Sequence, residues 1–155
     1  MLSNASGYAF NSHTRIPMSK ASSFFLKRQK HLGMAAALYV LLLLVFHWQL
    51  PEIHVWVIAS VFSIVMNFPY LIEALSLKAN ARTEVLVSSF LILLSVLGLF
   101  TTPLLIIGAI VGHGFWDLAK HFGKGVPFFF WYTCSCFLVD LVYGLLLLLY
   151  FLRHA

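Results

Sequence analysis

The chain has 155 residues, 61% of them hydrophobic and only 10% charged, with a net charge of +5. Soluble domains of this size carry about a quarter charged residues, and disordered chains are poor in Phe, Leu and Val, so a soluble domain is excluded and disorder is excluded for most of the chain. Long apolar runs leave an all-α polytopic membrane protein, with no length to spare for a separate soluble catalytic domain.

Residues 1–30 differ in kind from the rest. They are polar and Ser-rich, with Arg15, Lys20, Lys27, Arg28 and Lys30 and no acidic residue. The segment reads as a basic cytoplasmic tail, with an organelle transit peptide as the alternative. Within it, "SSFFLKRQK" (Ser22 to Lys30) is expected to lie as a short interfacial helix with Phe24, Phe25 and Leu26 in the acyl boundary.

A single transmembrane domain is expected over 31–155, with five spans. The first covers 32–50 and is stopped by Pro51. The second covers 53–75 and should bend near Asn67, ahead of Pro69. It places Ser60, Ser63, Asn67 and Tyr70 on one face and Glu73 on another. The third covers 82–100, with Asn80 as its candidate cap. Thr102 followed by Pro103 starts a fourth span over 103–122, ended by Gly123 and Gly125. The fifth covers 127–152. Fusing the third and fourth would need a helix of about 40 residues, roughly 60 Å long, about twice the hydrocarbon thickness.

Nine of the ten Lys and Arg residues fall on one side of this five-span arrangement, and only Arg153 on the other. By the positive-inside rule the N-terminus is cytoplasmic and the C-terminus outside. The basic residues thus serve topology and anionic lipid headgroups, and nucleic acid is excluded as a partner. His47, His54 and Trp56 at the outer interface, and Trp116, Trp131 and Tyr132 at the inner one, read as interfacial anchors. Gly108 and Gly112, four apart, suggest close helix packing. Cys134 and Cys136 lie about 200° apart on a helix, which disfavours a bridge and leaves two free thiols.

The ionisable residues concentrate late in the chain, in "HGFWDLAKH" (His113 to His121) and at Asp140. Taking His113 as zero, Asp117 lies at about 40°, His121 at about 80° and Lys120 at about −20°, so the four share one stripe. Such a stripe in a span should face other helices or water. On the fifth span Thr133, Cys136, Asp140, Tyr143 and Gly144 share a face. A simple hairpin count opposes His113 to roughly Thr133 and leaves Asp140 about 10 Å deeper, which argues against contact between them.

Three functions fit this pattern. The stripe can be a structural network built on an Asp117–Lys120 pair, in a small accessory protein that assembles with itself or with another membrane protein. It can be the centre of a membrane-embedded enzyme acting on a lipid or another apolar substrate. His113, Asp117 and His121 would then be candidate ligands of a divalent metal ion, helped by Glu73 or Asp140, or would act with Asp140 as catalytic groups. Or Asp140, His113, Asp117 and His121 can be a graded path for a proton or ion.

The segment His113 to His121, followed by a Gly-Pro turn and a last helix bearing Asp140, resembles a family of small bacterial polytopic integral membrane proteins of unassigned activity, marked by an H-G-x-W-D-x-x-H-H-like segment. The resemblance covers about the last 45 residues. The matching positions are His113, Gly114, Trp116, Asp117, His121 and Asp140, and Lys120 stands where the first of two adjacent His would be. It implies a bacterial inner membrane and transfers no activity, and the Lys favours the ion pair over a metal.

Overall fold

The computed structural model describes residues 27–47, 49–78 and 80–154. Trp48 and most of the basic tail, including Arg15, Lys20, Phe24, Phe25 and Leu26, lie outside them. Among the described residues the protein is all-helical: α1 (Gln29–His47), α2 (Glu52–Val65), α3 (Phe68–Leu77), α4 (Ala81–Phe100), α5 (Pro103–Lys120) and α6 (Phe130–His154). Among these residues three stretches are long and apolar enough to cross a membrane: Glu52–Leu77, which joins α2 and α3, then Ala81–Phe100 and Phe130–His154.

The break between α2 and α3 has a local cause. Pro69 has no N–H, and its ring crowds the carbonyl four residues earlier. The Asn67 N–H shifts to the Ile64 carbonyl at 3.3 Å, and the Asn67 side-chain amide takes up the vacated Ser63 carbonyl at 2.8 Å. The bend therefore leaves these groups bonded. Ser60, Ser63, Asn67 and Tyr70, the predicted common face, are all buried, and so is Glu73, which the same reading placed on another side.

Lys78 and Asn80 adopt left-handed conformations, with φ of 55° and 52°. Asn80 precedes α4 but makes no side-chain cap bond; its Nδ2 donates instead to the Gly125 carbonyl at 2.6 Å. Thr102 does cap α5, its Oγ1 accepting from the Leu104 N–H at 3.4 Å, with Pro103 in the first turn. After α5 the chain turns through Gly123 and Gly125, both at positive φ, and α6 starts only at Phe130.

One apolar core joins Leu43, Val55, Trp56, Ala59, Ile106, Ile110, Tyr143 and Leu147. A smaller one, at the other end, joins Tyr70, Ala74 and Val126, with Phe128 and Tyr132 packed against it. Between them α2 and α4 are linked through hydroxyls: Ser60 donates to the Ser95 carbonyl at 3.0 Å, and Ser63 and Ser95 meet at 2.6 Å. Helices α5 and α6 pack closely where glycines allow it. A Cβ on Gly114 would sit 3.1 Å from Asp140 Cβ, and one on Gly144 would sit 2.5 Å from Val111 Cγ2. The expected pair plays a smaller part: Gly112 faces Leu91, but a Cβ on Gly108 would meet nothing within 4 Å. The outward faces are apolar, with Leu86, Phe90 and Leu93 exposed on α4 and Leu138, Leu145 and Leu149 on α6.

Several expected interfacial anchors turn inward. His47 is buried and joined to the Tyr143 hydroxyl at 3.0 Å. Trp56 is buried, its indole N–H donating to Glu52 at 3.2 Å. His54 is exposed. His47 and Trp56 thus each have a side-chain partner within the bundle.

Candidate functional site

Four of the five acidic residues, Glu73, Glu84, Asp117 and Asp140, are buried. Three of them gather with His113 and Lys120 at the meeting of α3, α4, α5 and α6. Lys120, on the last turn of α5, donates to Asp117 Oδ1 at 2.9 Å and lies 3.3 Å from Glu84 Oε1. Its ammonium also stands 3.0 Å from the centre of the Tyr70 ring, a cation–π contact made dry by burial. The Tyr70 hydroxyl donates to the other Asp117 oxygen at 2.9 Å. Both oxygens of Asp117 are thus taken, one by α5 itself and one by α3.

Glu84 ties in the turn. It accepts the Trp116 indole N–H at 3.1 Å and the Val126 backbone N–H at 3.0 Å. This explains Gly125: a Cβ there would lie 2.7 Å from Glu84 Oε2 and 2.9 Å from Trp116, and φ is +75°, a backbone region glycine enters freely. One carboxylate of α4 therefore holds both the end of α5 and the turn that leads to α6.

One helical turn before Asp117 on α5, His113 Nδ1 meets Asp140 Oδ2 at 2.9 Å, while Asp117 Oδ2 lies 3.9 Å from the same nitrogen. Contact between His113 and Asp140 thus exists, against the expectation from the hairpin count. The other ring nitrogen, Nε2, is buried without a well-aligned hydrogen-bond partner, and the Met66 backbone at the α2–α3 break lies close to the imidazole. His113, Asp117 and Asp140 each offer a ligand atom, all within 4.8 Å of one another. Among the described residues this is the group that could hold a metal ion.

His121 stands apart from them. Its Nε2 lies 3.0 Å from Thr133 Oγ1 and 3.4 Å from Cys134 Sγ, with the Phe130 ring against its own at 4.6 Å. Of the sequence-predicted residues, then, His113, Asp117, Lys120 and Asp140 come together and His121 does not. Glu84 went unnoticed in the sequence. Its signal was available: an acidic residue in the first turn of an otherwise apolar span needs a buried partner.

The charge balance is uneven. Glu84, Asp117 and Asp140 supply three carboxylates and Lys120 a single ammonium, with His113 the remaining base. Removing such groups from water costs several kcal/mol per ion unless each is bonded, which explains why nearly every polar atom here has a partner. At the opposite end a cavity of about 550 Å³ is lined by His47, Leu50, Tyr143, Leu147 and Arg153.

Fold and site together define, among the described residues, an all-helical protein with segments long and apolar enough to cross a membrane and a buried ionic network among its helices. No protein family, curated protein or solved structure compared with the chain matches it.

Proposed function

We propose that this chain is a small accessory protein of a bacterial inner membrane, crossing it five times with the N-terminus inside, and that its ionic network braces the cytoplasmic half of the bundle. The helix lengths support the span count. Helices α1 and α5 have 19 and 18 residues, roughly 28 and 27 Å at 1.5 Å per residue, close to a hydrocarbon core of about 30 Å. The excess of Lys and Arg on one side supports the orientation.

The observation that carries the structural reading is the position of Lys120. Its ammonium is engaged by Asp117, Glu84 and the Tyr70 ring, so it joins three helices and keeps its own charge inside the bundle. Exposed apolar faces on α4 and α6 then serve lipid, a second copy or a membrane-protein partner. Unfolding of Asp117→Asn, Lys120→Met and the double variant tests this: a structural pair predicts that the double variant loses less than the two single losses added. Additive losses would count against it.

A second reading is favoured by the convergence of His113, Asp117 and Asp140. Two carboxylates and an imidazole suit a divalent cation, which would offset the local surplus of negative charge and could serve chemistry on a lipid. Asp117 would have to share its oxygens with Lys120 and Tyr70. Elemental analysis of purified protein, before and after His113→Ala and Asp140→Asn, decides it. A stoichiometric metal lost in both variants would support this reading; metal content that ignores both would remove it.

A further inference from the structure

We propose that Cys134 is an acyl-acceptor thiol, with His121 as its base, taking a long-chain acyl group from a thioester of an anionic carrier. The site is separate from the ionic network and does not depend on the reading given to it. Cys134 sits in the second turn of α6 and His121 just past the end of α5, and the α5–α6 turn brings Sγ and Nε2 to 3.4 Å. A thiol within reach of an imidazole is the arrangement that generates a thiolate nucleophile.

Thr133 positions the base. Its hydroxyl lies 3.2 Å from the Phe129 carbonyl and 3.2 Å from the Phe130 carbonyl, and it can donate its proton to either. Its oxygen, 3.0 Å from His121 Nε2, is then left to accept the N–H that forms when the imidazole takes the thiol proton. Cys134 is half-buried, so an electrophile can approach it. The other thiol, Cys136, faces Tyr70 and Tyr132 inside the bundle.

The surroundings indicate the acyl chain. At 100° per residue Cys134, Leu138, Leu141 and Leu145 lie within about 60° of one another on α6. The three leucines are 60%, 40% and 55% exposed, so a chain attached at Cys134 would run along an apolar strip. Phe122 and Phe130 are exposed, Phe122 next to His121 in the chain and Phe130 with its ring against the imidazole at 4.6 Å. Lys124, exposed on the turn, offers a cation to the carrier's phosphates.

The step balances without a redox partner. His121 takes the thiol proton and Cys134 sulfur attacks the thioester carbonyl carbon. The carbon–sulfur bond to the carrier breaks, and the carrier thiolate leaves with the proton from His121. The product is a new thioester on Cys134.

The test uses the full chain in nanodiscs with palmitoyl-coenzyme A as the probe, read by intact mass and by release with neutral hydroxylamine. Cys136→Ser, which keeps Cys134, should gain one acyl mass, and Cys134→Ser should gain none over the same period. His121→Ala on the Cys136→Ser background should slow acylation by about a hundredfold, the low end of general-base contributions. Added imidazole should restore part of the rate, which a structural role for His121 would not allow. His121→Gln, which keeps a polar side chain near Thr133, guards against misfolding and should be equally slow. No acyl mass on Cys134, equal acylation of both cysteines, or a rate indifferent to both His121 variants would overturn the proposal.

Discussion

His113 and Asp140, on neighbouring antiparallel helices, are joined by a 2.9 Å contact between Nδ1 and Oδ2. The contact depends on Gly114, the residue after His113, because a side chain there would press on Asp140 Cβ at 3.1 Å. One small residue thus sets how near α5 and α6 can come, and with it whether an imidazole and a carboxylate can share a bond away from water.

Asp140→Asn should fold and keep most of the stability, because the amide can still bond His113. Asp140→Ala should lose about 1–3 kcal/mol, the cost of leaving a buried polar group unsatisfied. Thermal unfolding in detergent distinguishes them, and equal losses would argue that the bond contributes little.

The glycines separate cleanly. Gly125→Ala forces a Cβ toward Glu84 and Trp116 at a positive φ, and should cost about 1–3 kcal/mol, as overpacking does. Gly108→Ala meets nothing and should be neutral or stabilising by up to about 1 kcal/mol through helix propensity. Unfolding midpoints of the two variants give the comparison.

Orientation can be read directly. A C-terminal reporter that is active only outside the cytoplasm should be active after His154, and one placed in the α5–α6 turn should be silent. The reverse pattern would invert the proposed topology.

Much of the fold was legible because its signals are local. Pro69 foretold the α2–α3 break and Thr102–Pro103 the start of α5, each through a backbone bond that cannot form or a cap that can. The helix register was not legible. The turn after α5 spends residues 122–129 folding back, with Val126 bound to Glu84 and Phe128 packed on Tyr70. Starting α6 at Pro127 therefore slid Asp140 away from His113. The inward turns of His47, Trp56 and Trp116 escaped for a related reason: their partners Tyr143, Glu52 and Glu84 are set by tertiary packing or by rotamer. Asp117 and Lys120, three apart on one helix, could be paired from sequence alone; Glu84 could join them only once α4 was placed.

Lys120 is the cation that braces Asp117 and Glu84 in the buried network, and Lys120→Met measured with and without Asp117→Asn tests this most directly. Removing Lys120 alone leaves Asp117 and Glu84 buried without their cation and should cost about 3–5 kcal/mol. Adding Asp117→Asn should recover part of that loss in equilibrium unfolding. A Lys120→Met protein as stable as wild type, or a double variant whose loss equals the two single losses added, would contradict the account.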